Sequence, residues 1–263
     1  MLMPFPMNQG YPGDIMDQPR ALADTFSALF SPSQAVERVV NLASRDVQRL
    51  VLTGMGSSFH ALHPLYLQLI QHGYPAWMVE TSELIHHQSA LLAPGTLVIA
   101  VSQSGRSAEI LHLLELARQS KTSVLGVSNT PGSPLAELSA ACLLTQAGAE
   151  TSVSCKTYVA TLMALSWLGD VLGKLDLATT RLELEQASQL VRGYLAIWPA
   201  HIAWLKIGFK DARHILLVGR GSSLAAVGTG ALITKESTHV HAEGMRSAAF
   251  RHGPLEMLAG DVV

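Results

Sequence analysis

The chain has 263 residues, of which 48% are hydrophobic and 14% charged. So apolar a chain can bury a full core, which excludes disorder as its main state. Eighteen Lys+Arg against 20 Asp+Glu give a net charge of −2 with no basic stripe, which argues against nucleic acid as a partner.

Two cysteines, Cys142 and Cys155, make no disulfide framework, and free thiols suit a reducing cytoplasm. The longest apolar tract, 158–172, is interrupted by Asp170 and is too short to cross a bilayer. The first ten residues carry Pro4 and Pro6 but neither a basic start nor a long apolar core, so they do not read as a signal peptide. The expectation is a soluble cytoplasmic protein with no membrane partner.

Helical spacing covers 18–30 and 33–44, with Ser31 and Ser33 available as caps between them. Residues 49–53 form a short apolar run that ends in glycine, the pattern of a buried parallel strand. From there strands and helices alternate. A helix is predicted over 57–72, kinked by Pro64, then a strand over 76–80. A strand at 96–101 precedes a helix at 107–120, and strands follow at 123–127 and 142–145. A long apolar helix covers 155–172. This order predicts an α/β fold, a parallel sheet with helices on both faces in three αβα layers.

Residues 179–206 are amphipathic and read as a connector, broken near Pro199. The opening pattern then returns. His214 to Ser223, with Gly219-Arg220-Gly221-Ser222-Ser223, repeats Leu50 to Ser58, with Gly54-Met55-Gly56-Ser57-Ser58. The expected organisation is therefore N-terminal helices (1–45), a first α/β domain (46–175), a connecting helix (176–210) and a second domain of the same type (211–263). That second copy is short and stops in the apolar run Asp261-Val262-Val263. Two or three strands do not bury both faces of a parallel sheet, so it reads as truncated or covered by a partner.

Open parallel sheets bind ligands at the carboxyl ends of their strands, where three loops carry polar residues. In the first, Gly54 and Gly56 permit a sharp turn, and Ser57 and Ser58 follow at a helix start. A dinucleotide is one reading, with Glu80 as the ribose partner; bulky Phe59 and Leu224 at the third small position oppose it. In the second loop, Ser102-Gln103-Ser104-Gly105-Arg106-Ser107 sets hydroxyls, an amide and a glycine at the positive end of a helix dipole. That suits a phosphate monoester. Capping alone would need only one of these residues, such as Ser104 or Ser107. The third loop, Glu150 to Lys156, is again hydroxyl-rich and opens a helix. His239-x-His241-x-Glu243 on a strand would present three metal ligands to one side, or be buried histidines with other partners. Cys155 has no adjacent histidine to activate it and reads as structural.

These motifs resemble the sugar isomerase (SIS) domain. The resemblance rests on Gly54-Met55-Gly56-Ser57-Ser58, on the run Leu97 to Gly105 ending Ser102-Gln103-Ser104-Gly105, and on Gly148 to Val153. It continues through Thr234-Lys235-Glu236 and Arg251-His252-Gly253-Pro254-Leu255. It is similar to the isomerase half of glucosamine-6-phosphate synthase and to fructosamine-6-phosphate deglycases, and it implies two tandem SIS-type domains. By this resemblance Ser102, Gln103, Ser104 and Ser107 hold the 6-phosphate of a sugar. Gly56, Ser57, Ser58, Val153 and Ser154 line the sugar, although the third loop is one residue shorter than in the synthases. Glu236 matches a catalytic glutamate that shuttles a proton between C1 and C2. His252 matches a ring-opening histidine supplied to a neighbouring subunit, which implies a homodimer. A carboxylate over an acidic C–H suits enolisation, and histidine exchanges protons near neutrality. Taken without the resemblance, Glu236 reads as a solvated surface charge, the commoner fate of a glutamate, and His252 as a helix-end cap.

Departures from the synthase pattern narrow the expectation. Ile233 stands where the synthases carry a lysine, their C-terminal tail with its active-site lysine is not present, and no glutaminase domain precedes the sugar domain. The implied activity is that of an aldose–ketose isomerase, deglycase or deaminase acting on a (amino)sugar 6-phosphate in amino-sugar metabolism. No cofactor or metal is called for. The alternative is a non-catalytic phosphosugar-sensing module, which residues 1–32 oppose by being too short and too weakly basic for a helix-turn-helix unit.

Overall fold

The computed structural model describes residues 10–45, 47–151 and 153–258. The readings made on residues 1–9 and on the terminal run 261–263 lie outside them. Three helices open the fold: α1 (Gly10–Met16), α2 (Gln18–Phe30) and α3 (Gln34–Ala43). Ser33 caps α3 by accepting from the Val36 N–H. There follow β1 (Arg49–Gly54), α4 (Gly56–Ala61), α5 (His63–Gln71), β2 (Ala76–Glu80), α6 (Thr81–His87) and β3 (Thr96–Val101). Next come α7 (Ala108–Gln119), β4 (Ser123–Ser128), α8 (Pro134–Leu138), β5 (Ala141–Leu144) and α9 (Lys156–Leu172). The expected kink at Pro64 is a full break: α4 ends at Ala61 and the proline stands in the first turn of α5, where its missing N–H costs nothing.

β1 to β5 form one parallel sheet in the order β2-β1-β3-β4-β5. Side chains alternate between its faces. Leu50, Leu52, Leu97, Ile99 and Leu125 pack on one side with α2, α3, α5 and α9. Val51, Val98, Ala100 and Val124 pack on the other with α6, α7 and α8. Burial on both faces is why these strands read as unbroken apolar runs. The α/β fold with helices flanking a parallel sheet is thus the architecture of this part of the chain.

Asp170, which interrupts the apolar α9, is fully engaged. Its carboxylate accepts from the Gln68 amide at 2.6 Å and from the Thr180 hydroxyl at 2.8 Å, tying α5 and α10 (Leu177–Gly208) to α9. Helix α10 corrects one expectation, because it runs for 32 residues straight through Pro199. The proline removes one hydrogen bond, but the turns on either side carry on the helix, so it does not end there.

The N-terminal helices are locked to the third loop by charges no local pattern pairs. Lys156, 8% exposed in its side chain, reaches Asp14 at 3.0 Å and Asp17 at 2.9 Å. The Thr151 N–H and hydroxyl also donate to Asp14. Asp17 is held at a pKa of about 2, first by the Arg20 hydrogen bond and then, against burial, by Lys156. Burial works to raise the Asp14 pKa, but Thr151 and Lys156 hold it below its ordinary value. Stability from these depressed carboxylates is complete above their ordinary pKa near 3.8 and is lost as pH falls toward about 2. Lys156→Met leaves Asp14 buried and unpaired. Urea unfolding at pH 7 should show a loss of about 3 kcal/mol, and the deficit should shrink as pH falls through this window; a constant deficit refutes the pairing.

Beyond α10, β6 (His214–Gly219), α11 (Leu224–Thr238) and β7 (His241–Arg246) form a strand–helix–strand unit with β6 and β7 parallel. A short α12 (Ser247–Phe250) follows. Gly56 and Gly221 have the same left-handed turn, φ +53° and +60°, so the two copies of the loop match in conformation as well as sequence. Among the described residues the second unit has two strands, followed by a single-turn helix and a 3-10 turn (Pro254–Met257), not a layered domain. Val218 of β6 remains 40% exposed. Helix α11 lies against α4, a contact that Gly228 permits: a Cβ there would clash with the His60 ring.

His239 also departs from expectation. It is the left-handed cap of α11, φ +59°, and not part of a strand, so His239, His241 and Glu243 do not alternate along one face. His241 instead stands 3.4 Å from His214 across the β6–β7 pair, ring nitrogen to ring nitrogen. Among the described residues no three His, Cys, Asp or Glu side chains converge.

Candidate active site

The three loops stand side by side at the carboxyl ends of β1, β3 and β5. β1 delivers Met55, Gly56, Ser57 and Ser58 at the start of α4. β3 delivers the second loop, which its neighbours hold from behind. The Gln103 carbonyl accepts from the Ser128 hydroxyl at 3.2 Å, the Thr130 hydroxyl at 3.1 Å and the Asn129 N–H at 3.1 Å. The Gly105 carbonyl accepts from the Leu135 N–H at 3.0 Å.

Within the loop, Ser102 Oγ accepts from the Gly105 N–H at 3.1 Å, and Ser107 Oγ caps α7 by accepting from the Ile110 N–H. Each hydroxyl accepts with a lone pair and keeps its proton to donate outward. Capping by Ser107 and anion binding by Ser107 are therefore compatible. Among the described residues no protein group bonds the Gln103 amide or the Ser104 hydroxyl.

The third loop opens α9, but its cap is not one of its hydroxyls. Glu150 accepts from the Cys155 N–H at 2.8 Å, the Thr157 N–H at 3.1 Å and the Thr157 hydroxyl. Val153 and Ser154 are thereby left facing outward, half-buried. Cys155 is buried and accepts from the Gln18 amide, and burial pushes its pKa up to about 11, which makes it a poor nucleophile.

Met55, Ser58, Ser102, Gln103, Ser104 and Ser107 line one depression of about 180 Å³. Met55 also belongs to a larger one of about 520 Å³, lined by Gly56, Ser57, Val153, Ser154, Leu232 and Glu236. Glu236 comes from α11, two thirds of the chain away from Gly56. A narrow crevice containing Ser57, Ser58, Gln103 and Ser154 joins the two. Ten of the eleven residues singled out in the sequence therefore gather on one rim. The eleventh, His252, does not. It is exposed in the turn after α12, donates its N–H to the Ala249 carbonyl and lines none of these depressions.

The sequence reading passed over Tyr158. It lines the crevice, and its hydroxyl is buried with no hydrogen-bond partner among the described residues. Phe59, which argued against a dinucleotide, packs against the core beside β1, where the dinucleotide pattern needs a small residue.

Comparisons with known proteins bear on the family and the fold. The family model for the SIS domain matches residues 44–169. The glutamine–fructose-6-phosphate aminotransferase [isomerizing] of Pyrococcus horikoshii is 32% identical over 93% of this chain and 41% of its own length. The chain thus spans about two fifths of the curated relatives it matches. A solved C-terminal domain of glucosamine-fructose-6-phosphate aminotransferase from Francisella tularensis superposes with a TM-score of 0.85 at 26% identity, covering 95% of this chain and 72% of that one. Tagatose-6-phosphate ketose/aldose isomerase of Escherichia coli shares the fold, with a TM-score of 0.77 at 20% identity over 95% and 71% of the two chains. No helix among the described residues is long and apolar enough to cross a membrane. The five-stranded sheet and these matches together identify residues 44–169 as a SIS domain.

Proposed function

We propose that the chain is an enzyme that enolises a sugar 6-phosphate, as an aldose–ketose isomerase or as a deglycase or deaminase of an amino-sugar 6-phosphate. The observation that carries this reading is the shared rim on which Glu236 of α11 faces the loop residues Gly56, Ser57, Val153 and Ser154, beside the serine loop of β3. The phosphate would take hydrogen bonds from Ser102, Ser104, Ser107 and Gln103 and from the free N–H groups at the start of the 12-residue α7. The open-chain sugar would extend from there across Ser57 and Ser58 toward Glu236.

In that pose the Glu236 carboxylate removes a proton from the carbon beside the carbonyl and returns it to the neighbouring carbon. A hydroxyl proton passes from one oxygen to the other as well, so the carbonyl moves by one position with no net oxidation and no cofactor; in a deglycase or deaminase the same shift leaves an imine that water hydrolyses, releasing the amine. His252 would open the ring from a second copy of the chain, which makes the working form a homodimer. The β6–α11–β7 unit would be the start of a second SIS-type domain, and the two free thiols suit work in the cytoplasm.

The test is proton NMR in D2O with fructose-, glucosamine-, galactosamine- and fructosamine-6-phosphate. Deuterium should enter at C1 or C2 of one of them. Line broadening without exchange would show a phosphosugar sensor and overturn the enzyme reading.

A further inference from the structure

A second cavity, of about 660 Å³, shares no lining residue with the depressions just described. It opens at the carboxyl ends of β6 and β7. Arg220 and Gly221 come from the second copy of the glycine loop, Arg246 ends β7, and Arg251 follows α12. The opposite wall is His63, Phe59 and Tyr66 from α4 and α5. No Asp or Glu lines it, and among the described residues none of the three arginines has a carboxylate within ion-pair distance. Among the described residues no acidic side chain offsets this positive charge, and His63 stands on the facing wall. Burial, then His60, then Arg246 push its pKa below the ordinary value.

Three arginines line one cavity; their positive charges repel each other unless an anion lies between them, and the planar forks of arginine match phosphate oxygens. The location is the repeat counterpart of the first loop, with Arg220 where that loop has Met55. We propose that this cavity is a second anion site, which takes a small organic phosphate with its phosphate against Arg220, Arg246 and Arg251 and its body against Phe59 and Tyr66.

Phosphorus NMR and titration calorimetry with inorganic phosphate, pyrophosphate and the four sugar phosphates test it. The unsubstituted protein should show two classes of site. Arg220→Gln with Arg246→Gln should weaken one class by at least about tenfold and spare the other. Arg251→Gln alone should weaken the same class, and Arg246→Lys should restore part of it. Gly105→Ala should remove the other class only. Loss of both classes in Gly105→Ala, or unchanged binding in the arginine variants, overturns the proposal. So does unchanged phosphate binding with a smaller oligomer, which would show the arginines to face carboxylates of a second copy.

Discussion

Glu236→Gln is expected to lower deuterium exchange into the sugar phosphate by about 10²–10⁴-fold, the range for removing a positioned general base. Phosphosugar affinity should stay within a few-fold of the unsubstituted value, because no phosphate-loop residue is altered. Glu236 is exposed near the end of α11, so the amide should fold without cost. The split between lost turnover and retained binding separates a base from a surface charge, since a surface charge would alter neither. The cross-subunit role of His252 can be read in the same assay. Mixing inactive Glu236→Gln with inactive His252→Asn should restore exchange, because one of the two sites in a mixed dimer then holds both intact residues. No restoration at any mixing ratio would place His252 elsewhere.

Gly105→Ala is expected to produce the opposite pattern. Gly105 has φ +62°, and an added Cβ would stand 2.8 Å from Ser133 Cβ and 3.0 Å from Ser128 Oγ. Neither neighbour can retreat. Ser128 holds the Gln103 carbonyl, and Ser133 caps α8 through the Ala136 N–H. The loop must therefore shift, and Ser102, Ser104 and Ser107 shift with it. Phosphosugar affinity measured by calorimetry should fall about a hundredfold, from lost charge-assisted hydrogen bonds. Thermal unfolding should show a loss of about 1–3 kcal/mol from backbone strain. Binding that survives this substitution would mean the phosphate lies away from this loop.

How far the fold was legible depended on the range of the signal. The strand at 96–101 was read to the residue because burial on both faces left an unbroken apolar run, and the strand at 76–80, at the sheet edge with Trp77 exposed, because its short apolar run lies between Pro75 and Glu80. The charge lock of Asp14 and Asp17 on Lys156 was invisible, because Lys156 and Asp17 are 139 positions apart and neither stands out locally. Pro199 misled for the reverse reason: a local breaker was outvoted by the helix on both sides of it. His239 continued a pattern in sequence but capped a helix in space, and nothing in the spacing of His239, His241 and Glu243 distinguished the two.

The candidate site divided along the same line. Serine density and glycine at a strand end exposed the β3 loop directly, whereas the proximity of Glu236 to Gly56 was legible only through the family resemblance. Glu150 as the cap of α9 went unread, because its carboxylate reaches five and seven residues forward instead of the usual two or three. Tyr158 looked like any aromatic in an apolar helix.

The approach of α11 to α4 through Gly228 has a consequence for substrate choice. The serine loop of β3 belongs to the large sheet, and Glu236 belongs to the smaller unit packed on it. In the proposed pose the distance from anchor to base would be set by the packing of α11 on α4 and of the turn after β6 on α5, a ruler laid along the substrate. A sugar phosphate with one carbon too few would leave its carbonyl short of the carboxylate, and one with a carbon too many would overshoot it. Enlarging Gly228 would lengthen the ruler without touching either end.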